Sequence, residues 1–379
     1  MSLCLVLLLA ATLCLRSLLN ARSYDPGFEP RGRVVAELNL KDFGFDGAQS
    51  GPFFARLIEA VRGIPGVRSA AWTRYLPLGT EHSNGSFVIE SSDAEGGKSG
   101  FFERFGVGPG YFATMGTSLL QGRDLQETDT EGAPRVILIN EAAATRYWPG
   151  INPVGRRLNV DGAQGPVACE IVGVVKTGCY RTLWEDSRPA FFECLLQSIP
   201  QKAVLVARVD GDAAAALRAI EKEVRRLDAR LALSQATTLE EHLSVALFPL
   251  RASGMVLGGL GALALVLAVS GLFGVMAYSV SRRTREVGIR MALGARPGVV
   301  LRVVLSDGMK LATVGVVLGI GGALIAMRVL RGLLFGISAT DPVAFVLIPL
   351  MLLGVAWMAC WVPARRASRV DPVVALRAE

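Results

Sequence analysis

Histidine is almost missing from this chain. Only His82 and His242 occur among 379 residues, far apart and with no carboxylate or cysteine at ligand spacing. Neither a zinc site nor a histidine-based triad is expected from them. No Gly-x-Ser-x-Gly elbow occurs either. Gly96-Gly97-Lys98-Ser99 imitates the end of a phosphate-binding loop, but that pattern demands glycine at position 92, which is Ser92. The polar stretch Ser91–Gly100 reads as a linker instead. Carboxylates are scattered without legible pairing, and none falls inside a long apolar run, which argues against a proton- or cation-coupled carrier. With no catalytic, metal or cofactor-binding residue to nominate, the chain is not expected to be an enzyme.

Cysteine is sparse as well. Cys4, Cys14 and Cys360 lie in apolar stretches, where cysteine behaves as a small hydrophobe. Cys169, Cys179 and Cys194 lie in the polar part, an odd number that allows one disulfide and a free thiol or three unpaired thiols.

Apolar sequence is what the chain has in plenty. It is 51% hydrophobic with a mean hydropathy of +0.41, the balance of an integral membrane protein. Ala252–Val280 holds 29 uncharged residues, about 43 Å of helix against a ~30 Å hydrocarbon core, so its outer end is expected to project beyond the membrane or to tilt. Leu311–Met327 is shorter, with Lys310 and Arg328 placed to snorkel, and Pro342–Val362 contains Pro349, a predicted kink. Met1–Leu15 is a short fourth candidate. A cleavable signal would open on Lys or Arg and close on a small-x-small site. Here Arg16 follows the apolar run, Leu19-Asn20-Ala21 is a poor cleavage site and Cys14 after Ala11-Thr12-Leu13 a weak lipid-attachment signal, so a retained or truncated membrane helix is expected. Gly254-x-x-x-Gly258, Gly271-x-x-Gly274 and Gly315-x-x-x-Gly319 have the spacing that lets membrane helices approach closely, although glycine is common in such helices for packing alone.

Charge sets the topology. Tyr24–Leu250 has 24 basic against 28 acidic residues, an ordinary soluble balance. Ser281–Lys310 carries seven basic and two acidic residues, and Pro363–Glu379 four and two, which places both on the cytoplasmic side. The pI of 9.3 therefore reflects membrane flanks and implies no nucleic-acid partner. Within the first flank Val287/Met291 and Ile289/Leu293 sit four apart, so one helix face is apolar while Arg285 and Arg290 supply charge. Such a helix can lie on anionic lipid or dock into a partner's groove.

The polar insert reads as α+β. Strands are predicted over Arg33–Asn39, Val67–Tyr75 and Ser86–Glu90 with a helix over Phe53–Arg62. Strands Arg135–Asn140 and Cys169–Val175 flank helix Glu141–Tyr147. Strand Ala203–Val209, helix Ala213–Leu227 and strand Leu231–Ser234 close the insert. A β-α-β opening and a β-α-β ending imply one α+β domain interrupted by another.

The run Arg285-Glu286-Val287-Gly288-Ile289-Arg290-Met291-Ala292-Leu293-Gly294-Ala295 resembles the coupling-helix signature of MacB/FtsX-type ABC permeases. The run from Pro363 to Arg377, PARRASRVDPVVALR, resembles that family's closing motif. Gly110-Tyr111-Phe112-Ala113-Thr114-Met115-Gly116, Gly122-Arg123-Asp124, Tyr147-Trp148-Pro149-Gly150 and Asn152-Pro153-Val154-Gly155-Arg156-Arg157-Leu158 are similar to stretches of its MacB-like periplasmic core. The chain looks most like one half of the double-length orphan permeases of the family.

The resemblance implies a membrane bundle of four transmembrane helices, the first short or truncated, with a two-lobed extracytoplasmic α+β domain between helices 1 and 2. The expected layout is a first helix over 1–22 and a periplasmic core over 23–250, lobe 1 being about 31–90 and 201–240 and lobe 2 about 100–200. An FtsX-like permease domain over 251–379 follows, with helices about 252–280, 310–330 and 342–362 and a coupling helix about 284–296. A separate cytoplasmic ATPase would bind ATP and grip that helix. Glu286 and Arg290 would contact the ATPase, with Arg285 beside them, and Gly288 and Gly294 would allow close packing or a turn. Implied partners are that ATPase, membrane lipid, a second permease copy or an upstream permease half, and a periplasmic adaptor. The implied site is the bacterial inner membrane, and the implied work is efflux by mechanotransmission. The competing expectation is a membrane-anchored sensor or regulator of periplasmic enzymes that transports nothing.

Overall fold

The structure is a computed structural model that describes residues 2–23, 25–79, 81–89, 99–162, 165–182, 185–282, 297–330 and 342–367. The chain divides into two compact units, Tyr24–Ala246 and Met1–Ser23 with Leu247–Glu379. The second unit thus begins a few residues before position 251.

The helix unit comprises α1 (Ser2–Ser23), α7 (Phe248–Arg282), α8 (Pro297–Leu330) and α9 (Pro342–Ala367). The helix α9 continues through Pro349. Three stretches, Arg251–Ser279, Leu305–Ala326 and Val343–Val362, are long and apolar enough to cross a membrane. Only 17%, 22% and 33% of their most apolar stretches is buried, so most of this hydrocarbon faces outward and needs lipid to cover it. In α1 the apolar segment Ser2–Arg16 is shorter, yet Leu5, Leu9 and Leu13 at four-residue spacing are fully buried, packed with residues of α8 and α9 such as Val316, Ala323, Ile348 and Leu352.

The core unit is built on one continuous sheet network. Strands β1 (Arg33–Asn39), β2 (Val67–Thr73), β10 (Lys202–Val209) and β11 (Gln235–Thr238) lie in the order β11-β1-β10-β2, all antiparallel. Helices α2 (Gly47–Arg62) and α5 (Ala213–Leu227) supply Phe53, Leu57, Val61, Ile220 and Val224 to the cluster that also takes Val34, Ala36 and Leu205 from the strands. Both helices start where a side chain satisfies free amide groups. Asp46 and Gln49 form a reciprocal capping box on α2, and Asp212 accepts from Ala214 N–H on α5.

A second cluster sits inside a ring of six strands: β3 (Asn84–Ile89), β4 (Ser99–Val107), β7 (Arg157–Gly162), β8 (Gly165–Val175), β6 (Val136–Asn140) and β9 (Ala190–Cys194). The ring closes because β4 pairs with β3 on one edge and, in parallel, with β9 on the other. Short β5 (Leu119–Gly122) adds to β8, and α4 (Glu141–Tyr147) contributes Ala143 and Tyr147 to the cluster. Phe87, Phe102 and Phe191 fill the ring's interior.

Two expectations are corrected. Ser86–Glu90 is expected as a strand of lobe 1, but its described part, in β3, pairs with β4 and β7 of the ring and sends Phe87 into that cluster, while Glu90 lies outside the described residues. The closing strand is Gln235–Thr238 and not Leu231–Ser234. Leu231 is buried from an irregular segment held by its N–H to Asp228 C=O, and bonding to β1 starts at the end of the expected strand, where Ser234 N–H donates to Glu37 C=O, with regular pairing from Gln235.

Candidate functional site

The most closely built region of the helix unit is the seam along α1. Gly254, Gly258 and Gly261 of α7 recur at four and three residues, on one helix face. A Cβ at these positions would lie 3.5 Å from Cys14 Cβ, 3.9 Å from Ala11 Cβ and 2.9 Å from Leu8 Cδ2, so the approach is tightest at Gly261. There the Cys4 thiol donates to the Gly261 carbonyl at 3.7 Å. On α8, a Cβ at Gly319 would stand 3.1 Å from Leu5 Cβ and from Ser2 Cα and O, and one at Gly322 3.6 Å from Val6 Cγ2. Of the expected packing residues, Gly254, Gly258 and Gly319 thus face α1, and Gly315 is half-buried on α8 next to buried Val316. Gly271 and Gly274 are exposed, and a Cβ at either would meet nothing within 4 Å among the described residues.

Sequence reading missed Gly261, Gly308 and Gly322. The four-then-three spacing from Gly254 through Gly261 was legible, whereas Gly308 is solitary. A Cβ at Gly308 would collide with Cys360 Sγ and come within 3.2 Å of Met276 Sδ, where α7, α8 and α9 share a small cluster with Leu272, Ala312 and Ala356. Helix ends near the basic flanks carry aromatic anchors: the Arg282 guanidinium lies 5.8 Å over the Tyr278 ring and that of Arg365 4.9 Å over Trp361. Arg285, Glu286, Gly288, Arg290 and Gly294 lie outside the described residues.

In the core unit several buried polar groups tie segments together. Buried Asn140 uses its full amide capacity: Nδ2 donates to Tyr180 Oη and Arg188 O, and Oδ1 accepts from Ala143 and Ala190 N–H. Buried Glu103 pairs with Arg181 at 2.6 Å and Arg188 at 3.7 Å. Glu185 accepts from the Tyr180 and Arg181 N–H groups, and burial raises its carboxyl pKa despite those bonds. Arg123 makes a two-pronged bond to Asp129 at 2.8 and 3.0 Å. Burial pushes the Cys169 and Cys194 thiols up to about 11, which keeps both protonated at neutral pH, and neither they nor the equally buried Cys179 is in a disulfide. Among the described residues no three His, Cys, Asp or Glu side chains gather as metal ligands would.

The short motifs of the core are structural corners. Gly110 and Gly116 bracket helix α3 (Tyr111–Met115) with φ of 77° and 76°, and a Cβ at Gly116 would sit 2.9 Å from Arg33 Nη2. Tyr147 and Trp148 are buried in the ring's cluster, and Gly155 N–H donates to Ile171 C=O.

Two family matches cover most of the chain: the MacB-like periplasmic core domain over residues 20–223 and the FtsX-like permease C-terminal over residues 258–372. The chain therefore belongs to the MacB/FtsX-type family of ABC transporter permeases. It is 27% identical over 287 residues to the probable syringafactin export ATP-binding/permease protein SyfD of Pseudomonas syringae pv. tomato, covering 72% of this chain and 41% of that protein. It is 29% identical over 287 residues to the pyoverdine export ATP-binding/permease protein PvdT of Pseudomonas putida, covering 69% and 40%. An uncharacterized ABC transporter permease, YvrN of Bacillus subtilis, is 28% identical over 295 residues, covering 73% and 70%. The alignments to the first two thus span about two fifths of the relatives' length. Among solved structures, the periplasmic region of MacB from Actinobacillus actinomycetemcomitans aligns over 61% of this chain and 97% of that one, with 17% identity and a TM-score of 0.39.

Proposed function

We propose that this chain is the permease component of an ABC-type exporter that carries ATP-driven motion of a separate cytoplasmic ATPase through the membrane to its periplasmic core. The observation that carries this reading is the burial of α1 against the glycines of α7 and α8. Helices this close, with only the side chains of α1 between them at these glycines, are suited to shift as a body when one end is pushed. In this reading α1 is a fourth membrane span, and α7, at 35 residues about 52 Å long, extends past the hydrocarbon as a stalk. The two clusters of the core unit are two lobes, and Arg285, Glu286, Gly288, Arg290 and Gly294 form the ATPase grip. ATP is bound by the partner. A second permease copy or a permease half completes the pair, with lipid around the helices and an adaptor at the periplasmic face of a bacterial inner membrane. Export is favoured over regulation alone because SyfD and PvdT carry export in their names.

The test is co-purification in mild detergent with the ATPase encoded beside this chain, assaying ATP hydrolysis. Wild type is expected to co-elute and to alter the hydrolysis rate, and Arg290→Glu to lose the partner, because reversing a charge at a docked interface costs several kcal/mol. A folded, inserted wild-type protein that binds no ATPase would sink the proposal.

A further inference from the structure

The core unit contains a cleft of about 410 Å³ between α2 and the segment Leu195–Pro200, a volume in the range of sites for small organic ligands. Its floor is aromatic. Phe54 and Trp72 lie with ring centroids 4.7 Å apart, and the Trp72 Nε1–H donates to Phe54 C=O at 3.1 Å, so the indole turns no unmet polar atom into the cleft. Ile58 and Leu195 form apolar walls. One end is shaped by an absence: a Cβ on Gly51 would lie 2.6 Å from Ile199 Cδ1, so a larger residue there would push the Ile199 side chain aside.

The mouth is charged and unbalanced. Arg62 is already satisfied, donating from Nε and Nη2 to Ala70 C=O at 3.3 and 3.1 Å, with Nη1 3.7 Å from Glu127. Glu59, one turn earlier on α2, also lines the cleft and has no ion pair among the described residues. Two carboxylates against one engaged guanidinium leave one net negative charge over an aromatic floor. Ring faces and a carboxylate both favour a cation, and the apolar walls favour a flat hydrocarbon body. From this we propose that the cleft binds a small aromatic cation, its ring on Phe54 and Trp72 and its positive charge beside Glu59. This is a property of the core unit alone and stands whether or not the permease couples to an ATPase.

The test uses the full chain in lipid nanodiscs, titrated calorimetrically with (1-naphthylmethyl)trimethylammonium and, separately, with 1-naphthylmethanesulfonate, an anion of similar shape. Empty nanodiscs supply the lipid background. The cation is expected to bind saturably and about tenfold more tightly than the sulfonate, the difference between attraction and repulsion at one partly exposed carboxylate. Glu59→Gln, an exposed change that leaves the fold alone, should weaken the cation about threefold and leave 1-naphthylmethanol unchanged. Ala55→Trp, filling the cleft from an exposed position of α2, should abolish saturable binding of all three probes. Cation binding no greater than in empty nanodiscs, equal binding of the two ions, or undiminished binding by a folded Ala55→Trp protein would each overturn the proposal.

Discussion

In the core unit Phe87, Phe102 and Phe191 meet with ring centroids 4.2 to 5.7 Å apart, whereas in the helix unit helices come close to one another where a side chain is missing, at Gly261, Gly308 and Gly319. The surroundings explain the contrast. The core unit folds in water, where removing large apolar side chains from solvent is the main driving force and every large ring buried adds stability. Between lipid-covered helices that force is absent, because hydrocarbon outside is as apolar as the protein within, so close van der Waals contact has to hold the helices. Hydrogen bonding follows the same division. The core unit satisfies Asn140, Glu103 and its helix starts with side chains, while among the described residues of the helix unit the Cys4 thiol bonds across to the Gly261 carbonyl.

The sharpest way to break this contrast is to remove a ring from the strand cluster. Phe191→Ala, at a side chain with no exposure, is expected to cost the core unit about 3–5 kcal/mol, read from denaturant unfolding of the full chain in nanodiscs. In the helix unit, adding atoms should do the damage. Gly261→Leu is expected to cost about 1–3 kcal/mol by driving a side chain into Leu8, measured as earlier loss of helical packing when SDS is titrated into mixed micelles. The same substitution at Gly271, which meets open space, should change that midpoint by less than ~0.5 kcal/mol. Equal effects at Gly261 and Gly271 would show that glycine serves the helices through flexibility and not through approach.

The smallest effect concerns pH, and only the core unit should show it. His242 is partly buried, with Nε2 3.3 Å from Pro77 C=O. Burial lowers its pKa below the ordinary 6.5, and the carbonyl offsets this only in part. A histidine with a depressed folded-state pKa binds fewer protons folded than unfolded, so its stability is present above 6.5 and is lost as pH falls through the folded value. His242→Gln should flatten that slope just below pH 6.5 in thermal unfolding of the core unit. An unchanged slope would assign the acid response to other groups.

Much of this protein follows from local pattern. The bounds of Arg33–Asn39, Glu141–Tyr147 and Ala213–Leu227 can be read along the chain because alternation, helical spacing and caps act within a few residues. The apolar helices are legible for the same reason, since length and hydropathy are sums over consecutive residues. Three of the five glycines that face α1, Gly254, Gly258 and Gly319, were visible as spacing, but spacing alone singled out Gly271 and passed over Gly261. Tertiary structure separated them, because which face of a membrane helix meets another helix depends on the neighbour, and every face is apolar. It also decided that β3 joins the ring, since strand order rests on pairings such as Phe87 with Val160, between segments far apart in the chain. The cleft belongs to the same class: Glu59, Trp72, Glu127 and Ile199 share no motif, and only the fold brings an aromatic floor beneath an acidic rim.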